Sequence, residues 1–502
     1  MKRTAIVIGG GPNGLTAAAM LGKHGVSVTL FEARDRLGGL CAPRAFGDGH
    51  RIPGLIHDTR GVREGIADVL DLARHGLKRR RKPTRVCAPS SDGDPIWLEA
   101  GTIDGAVTAE DKKAHRKLQR FVDRVGPVLR DMMNRPPPDP AGEVLPLLRT
   151  GLRVRRLGSK DMMELLRVAP MCVADWMRDT YASERLRAAL ALPAVMGDYA
   201  GVWSAGTAAN LLFAEACENR EVTGGPAALA AALQRCAEAN DVTLETQTRV
   251  TRVVTEKGVA RAVVVDGEER SADIIVSTID PKTTLLDLVG EHCLPVALAD
   301  DIVDFRARGT TAKLHLALSA PLTLEDGTEL EALRTGETLD DIERAFDPIK
   351  YGDYARKPVV DAWVPSMADP TLAPEEGHHV LTALVHAAPF EPKGGWNEDK
   401  RMRLKDAAIA AIADHCPSLS DDIVADELLT PADIADEYGI AEGNVFHGER
   451  ALDQILFMRP SVDCASYATP IRNLYLGGAG SHPAGPVSCA QGMLAAREAL
   501  SR

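Results

Sequence analysis

The first thirty-two residues constrain this chain more than any other stretch. Thr4 to Ile8 is a short β-branched apolar run that suits a buried parallel strand. Gly9, Gly11 and Gly14 follow as G-x-G-x-x-G, with Pro12 and Asn13 inside the motif. Leu15 to Leu21 then reads as an alanine-rich helix, Gly25 ends it, and Val26 to Phe31 is a second strand. Glu32 stands 18 positions beyond Gly14. In such a βαβ unit Gly9 permits the tight turn, Gly11 admits a diphosphate to the backbone, and Gly14 lets the helix approach the strand. The helix N-terminus offers unpaired N–H groups and the positive end of its dipole. Glu32 is placed to accept the ribose hydroxyls of an adenosine and disfavours a 2′-phosphate, which sets NADP aside and leaves NAD and FAD.

The chain has 502 residues, 45% of them hydrophobic, and a formal net charge of -12. That length accommodates two or more domains with a large core. The acidic balance argues against a nucleic-acid partner, because such binding draws on Lys and Arg against phosphate. The sequence contains no uncharged apolar run of about 18 residues, so any membrane contact is expected to be peripheral. Lys78-Arg79-Arg80-Arg81-Lys82 and the smaller group Arg153, Arg155 and Arg156 read either as solvated surface or as an electrostatic contact with an anionic membrane. The nine cysteines show no C-x-x-C pair and no metal-ligand spacing, and no apolar leader precedes the first strand. These features predict reduced thiols, no metal, a fold starting at residue 1 and a cytoplasmic setting, peripheral to membrane if it touches one.

Glu32-Ala33-Arg34-Asp35-Arg36-Leu37-Gly38-Gly39, followed by Leu40, resembles the E-x-R-x-x-x-G-G signature of the FAD-binding amine oxidase and phytoene desaturase superfamily. The resemblance implies FAD rather than NAD and adds Ala33, Arg34, Gly38, Gly39 and Leu40 to the cofactor contacts. Disulfide reductases share the FAD fold but need a second cysteine soon after this point; here Cys41 stands alone, with Phe46 five residues on. Near the other end, Asn473-Leu474-Tyr475-Leu476-Gly477-Gly478-Ala479-Gly480-Ser481-His482-Pro483 resembles the N-L-Y-L-x-G-[AS]-G-[TSA]-H-P motif of bacterial phytoene desaturase-like proteins. That likeness implies flavin contacts at Gly478, Ala479, Val487 and Ser488. Where the family continues with G-x-x-G, this chain reads Ser488-Cys489-Ala490-Gln491-Gly492.

In the middle of the chain, Thr223-Gly224-Gly225-Pro226 precedes an alanine-rich helix and a series of short strands, an order that also matches the superfamily and implies a backbone contact from Val250 to adenine. Ile52-Pro53-Gly54-Leu55-Ile56-His57-Asp58-Thr59 and Gly443-Asn444-Val445-Phe446-His447-Gly448-Glu449 resemble the branch that includes pyridine nucleotide-disulfide oxidoreductase domain-containing protein 2. No second G-x-G-x-x-G follows a strand, so a built-in NADPH site is not expected.

The expected fold is therefore α/β: a discontinuous Rossmann-like FAD-binding domain in three segments, 1–76, 221–290 and 443–502, with an inserted α+β substrate domain. Of its two parts, 77–220 is expected to be helical, interrupted by Pro136 to Pro140, and 291–442 to mix strands such as Ala312 to Leu318 with a helix around Met402 to Ala413. Met162, Met163, Leu165, Leu166, Val168, Met171 and Trp176 read as helix core or as an apolar pocket.

The chemistry so implied is hydride transfer from a C–H of a small or lipid-like substrate to flavin N5, with electrons passing on to oxygen, a quinone or another protein. His447, Glu449 and His482 are the candidate proton acceptors, because both of their segments are expected to converge on the cofactor. Three other functions share the same cofactor: amine oxidation, double-bond isomerisation on reduced flavin, and an FAD-bearing interaction protein with little turnover.

Overall fold

The computed structural model describes residues 2–137, 144–217 and 220–502, so Pro138 to Pro140 of the proline run lie outside the described residues. Its first layer is a five-stranded parallel sheet in the order Leu474–Leu476, Ile274–Ser277, Thr4–Ile8, Ser27–Phe31, Thr243–Glu245. Val7 lies opposite both Val276 and Leu30 in register. The strands come from the three stretches at the start, centre and tail of the chain. They read as continuous apolar runs because both faces are covered. Val7, Val28, Leu30 and Val276 pack under the helices Pro12–Lys23, Gly225–Glu238 and Ala490–Ser501. The alternate residues Ile6, Ile8 and Ile275 pack against a three-stranded antiparallel sheet through Val250, Val253 and Val263.

The first and last helices meet at a point the sequence marks with glycine. A Cβ on Gly492 would lie 2.0 Å from the backbone oxygen of Asn13. The departure from G-x-x-G thus keeps a glycine where the two helix backbones touch.

The second layer is an eight-stranded mixed sheet, in the order Ile423–Leu429, Thr311–Leu318, His379–His386, Val359–Trp363, Ala332–Arg334, Val86–Ala88, Ile96–Glu99, Thr102–Gly105. The last three strands belong to the stretch read as helical. Each has only three or four residues, too short for a period of two to stand out in sequence. The rest of that stretch is helical, led by Ala109–Met133. Leu165, Val168 and Trp176 are core of this helical layer, whereas Met163 and Leu166 face solvent.

Strand Thr311–Leu318 is buried at every position. Ala312, Leu314 and Leu316 pack with Leu404, Ala408 and Ile412 of the helix Glu398–Ala413. Alternation therefore sends Thr311, Lys313 and His315 to the opposite face. The basic run is also drawn into the fold. Arg79 donates to the carbonyls of Arg220 and Val62, and Arg80 pairs with Glu221, which leaves Lys78, Arg81 and Lys82 exposed. No helix among the described residues is long and apolar enough to cross a membrane.

Candidate cofactor and substrate site

Two adjoining cavities lie between the layers, and Ile56, Val445 and Pro486 border both. The first opens at the N-terminus of helix Pro12–Lys23. Gly11 caps that helix with φ -71° and ψ 179° and no side-chain hydrogen bond, so its first N–H groups are unclaimed. A Cβ on Gly11 would meet no protein atom nearer than Gly39 Cα at 3.9 Å. The bare backbone here leaves room for something other than protein. Gly14 differs, since its Cβ would lie 1.8 Å from the carbonyl oxygen of Gly9.

Glu32 is buried, and its carboxylate accepts from the backbone N–H of Gly10 at 2.7 Å and of Arg34 at 2.9 Å. Two donors fix the group and leave lone pairs for a ribose diol. An open glycine cradle, a helix N-terminus and a fixed acid fit the adenosine diphosphate half of a dinucleotide.

The cofactor contacts expected from sequence divide by location. Gly9, Gly11, Pro12, Asn13, Glu32, Ala33 and Arg34 line this cavity, and so do Gly39, Leu40, Val250, Ala479, Val487 and Ser488. Gly14, Gly38 and Gly478 are not among its lining residues and lie close against neighbouring backbone, which for Gly14 is the packing role expected from the motif. Gly38 adopts φ +111° and donates to the carbonyl of Gly10. A Cβ on Gly478 would lie 2.5 Å from the carbonyl oxygen of Ile279.

Sequence reasoning missed the wall supplied by the inserted part. Helix Pro431–Tyr438 closes the cavity with Glu437 and Tyr438. The Arg34 guanidinium bonds Glu437 at 3.2 Å and lies 4.1 Å from the centre of the Tyr438 ring. About 400 residues of sequence separate these partners, and no local pattern links them.

The second cavity is lined on one side by apolar groups, including Leu190, Met196, Leu211, Phe213 and Ile455. Its other wall is the face of the eight-stranded sheet that carries Lys313. Register sets Lys313, Leu384, Asp361 and Arg334 side by side on four neighbouring strands. Loop residues His57, Asp58 and Arg60 complete this polar wall. Lys313 Nζ donates to His57 Nδ1 at 3.1 Å. Full burial lowers the lysine to about 7, with Asp361 opposing the shift. Burial, followed by the charges of Lys313 and Arg60, holds His57 neutral well below its ordinary value. Sequence did hold one signal for Lys313, a lysine inside the largely apolar strand Thr311–Leu318.

The Lys313 shift has a consequence for stability. A lysine with a lowered native value binds its proton more readily when unfolded, so stability rises with pH between about 7 and the unfolded value. We expect the cofactor-free protein to gain melting temperature from about pH 7 to 9, and Lys313→Met to flatten that gain, in thermal unfolding scans. Equal slopes for the two proteins would contradict the shift.

Of the expected proton acceptors, His482 lines the substrate cavity and His447 the cofactor cavity. His482 Nε2 donates to the carbonyl of Met132 at 3.0 Å, and burial lowers the imidazole to about 4. His447 is neutral for the same reason, and its Nδ1 has no hydrogen-bond partner. Glu449 is corrected: it lines neither cavity, and its carboxylate is held by Arg308 at 2.6 and 3.0 Å and by Arg306 at 3.4 Å. Two bound arginines make it an anchor for the segment Arg306 to Arg308.

Beside it, the fully buried Arg459 donates to the carbonyls of Phe446, Gly448, Glu449, Gln454 and Ala479 at 2.8 to 3.2 Å. It staples the His447 loop to the C-terminal glycine loop. Among the described residues no group of His, Cys, Asp and Glu is gathered to hold a metal ion.

Comparison with known proteins follows this geometry. A family model described as flavin containing amine oxidoreductase matches residues 13–387. The rat pyridine nucleotide-disulfide oxidoreductase domain-containing protein 2 is 29% identical, with 98% of this chain and 92% of that protein aligned. A lycopene-forming phytoene desaturase from a Paracoccus species is 26% identical over 96% of this chain and 93% of its own length. The solved structure of cyclohexylamine oxidase from Brevibacterium oxydans IH-35A superposes with a TM-score of 0.61 at 14% identity, covering 100% of this chain and 98% of that one.

Proposed function

The chain belongs to the flavin-containing amine oxidoreductase family and is an FAD-dependent oxidoreductase, and from that premise we propose that it is a dehydrogenase of the desaturating type, acting on a C–H bond of a small or lipid-like substrate. One observation carries the reading: a largely apolar cavity shares Ile56, Val445 and Pro486 with the cofactor cavity, so a substrate within it abuts the cofactor. FAD, when bound, supplies the acceptor for a hydride.

The chain does the rest. Glu32 would hold the ribose, and the Gly9–Gly14 loop and its helix would hold the diphosphate. Leu211, Phe213 and Ile455 exclude water and orient an apolar chain. Loss of a hydride from one carbon requires loss of a proton from its neighbour. His482, which lines the cavity and whose ring burial keeps neutral, is the acceptor of that proton in this reading. His447 serves the cofactor side of the same boundary. The electrons leave to an external acceptor, whether oxygen, a quinone or a protein.

The test is optical. Purified protein is expected to be yellow, and anaerobic mixing with a substrate of this class is expected to bleach the flavin in step with formation of a double bond. Product formed with the flavin unchanged would replace this reading with isomerisation, and flavin that only primary amines bleach would replace it with amine oxidation.

A further inference from the structure

The helical layer carries a surface that neither cavity accounts for. Helices Val144–Arg156 and Gly158–Val168 follow each other across Leu157. The second turns Leu165 and Val168 into the core, and Arg153 of the first pairs with Asp131 of helix Ala109–Met133. Their outward residues are apolar without cover. Leu148 and Leu152 on the first helix, and Met163 and Leu166 on the second, are each more than half exposed. Scattered single residues of this kind are ordinary, but four on one helix pair mark a contact surface. The same outward positions are basic. Leu148, Leu152, Arg155 and Arg156 fall at i, i+4, i+7 and i+8, one side of a helix, and Lys160 stands three residues before Met163. From 144 to 168 the chain has six basic residues, Arg149, Arg153, Arg155, Arg156, Lys160 and Arg167, against two acids, Asp161 and Glu164, within a chain of net charge -12. Both acids are claimed by arginines, Asp161 by Arg124 and Glu164 by Arg167. Arg155, Arg156 and Lys160 are exposed and make no ion pair among the described residues.

Large apolar side chains flanked by unclaimed cations match the interface of an anionic bilayer. There the apolar groups enter the acyl boundary while the long stems of Arg and Lys reach the headgroup phosphates. A second copy of this chain docked face to face would set cations against cations. We propose that this helix pair docks the protein peripherally on an anionic lipid membrane. The surface belongs to the layer that walls the substrate cavity: Asp131, which Arg153 grips, stands two residues from the lining residue Met133. Docking is measured without turnover, so it stands or falls apart from the substrate reading above.

Co-sedimentation of the FAD-loaded protein with lipid vesicles tests this. Phosphatidylcholine vesicles containing about one third phosphatidylserine are expected to bind it at least ~10-fold more tightly than phosphatidylcholine alone, and about 0.5 M salt is expected to remove the difference. Arg155→Gln together with Arg156→Gln is expected to weaken binding to the anionic vesicles ~30-fold. Leu152→Ser together with Leu166→Ser is expected to weaken it at least ~10-fold. Arg81→Gln together with Lys82→Gln, in the other basic run, is expected to leave it unchanged. All six positions are exposed, so the variants are expected to fold, and flavin absorbance of each sample checks that independently. The comparison of the two vesicles and of the two salt levels needs no variant. Equal binding to both vesicles, binding to neither, a loss in the Arg81 and Lys82 variant as large as in the Arg155 and Arg156 variant, undiminished binding by the leucine variant, or a native dimer that the leucine variant splits would each overturn the proposal.

Discussion

Gly11→Leu is expected to give a folded protein that stays colourless. The backbone at residue 11 has φ -71° and ψ 179°, a region open to any amino acid, so the substitution adds no strain. Its Cβ meets nothing of the protein inside 3.9 Å. The side chain instead occupies the space where a diphosphate approaches the helix N-terminus. We expect FAD affinity to fall by more than ~100-fold, roughly 2.7 kcal/mol, while the cofactor-free variant unfolds within about 0.5 kcal/mol of the cofactor-free native protein. Fluorescence titration with FAD and urea unfolding measure the two quantities. Native-like FAD affinity in this variant would mean that the glycine loop does not cradle the dinucleotide.

The second large effect is expected at Arg459. Arg459→Met keeps the volume of the stem but removes the donors of five backbone carbonyls, each in a segment bordering the cofactor or its support. Each buried acceptor left unpaired costs about 1–3 kcal/mol, though local relaxation recovers part of the sum. We expect a net loss of about 3–5 kcal/mol in urea unfolding, together with weakened FAD binding, because the loop through Ala479 loses its tie to the His447 segment. Arg459→Lys is expected to restore little, since a compact ammonium cannot span the positions a planar guanidinium reaches. A loss below about 0.5 kcal/mol for Arg459→Met would show the staple to be dispensable.

The contrast between these two residues reflects how the site is encoded. Gly11 was legible because every part of its role lies within the first thirty-two residues: strand, turn, helix start and acid follow each other, and the glycine's lack of Cβ acts on its immediate surroundings. Arg459 has no such local unit around it. That it is fully buried under five carbonyls follows from how the 446–454 loop and the 479 loop fold over it. Glu449 misled for the same reason. Its neighbours in sequence place it near the cofactor, but Arg306 and Arg308, from the inserted part, claim its carboxylate.

The sequence by itself determined the strand–glycine turn–helix–strand unit, the acid that closes it, and the strand-forming stretches of the parallel sheet. These depend on local backbone geometry, helix-end electrostatics and short-period burial patterns. Only the tertiary structure decided that Lys313, Asp361 and Arg334 share one row, that His57 leans on the lysine, and that Glu437 and Tyr438 close the cofactor cavity. Those relations are fixed by strand register and by contacts between distant segments. Alternation along a strand tells which residues share its face but leaves open which strand lies beside it.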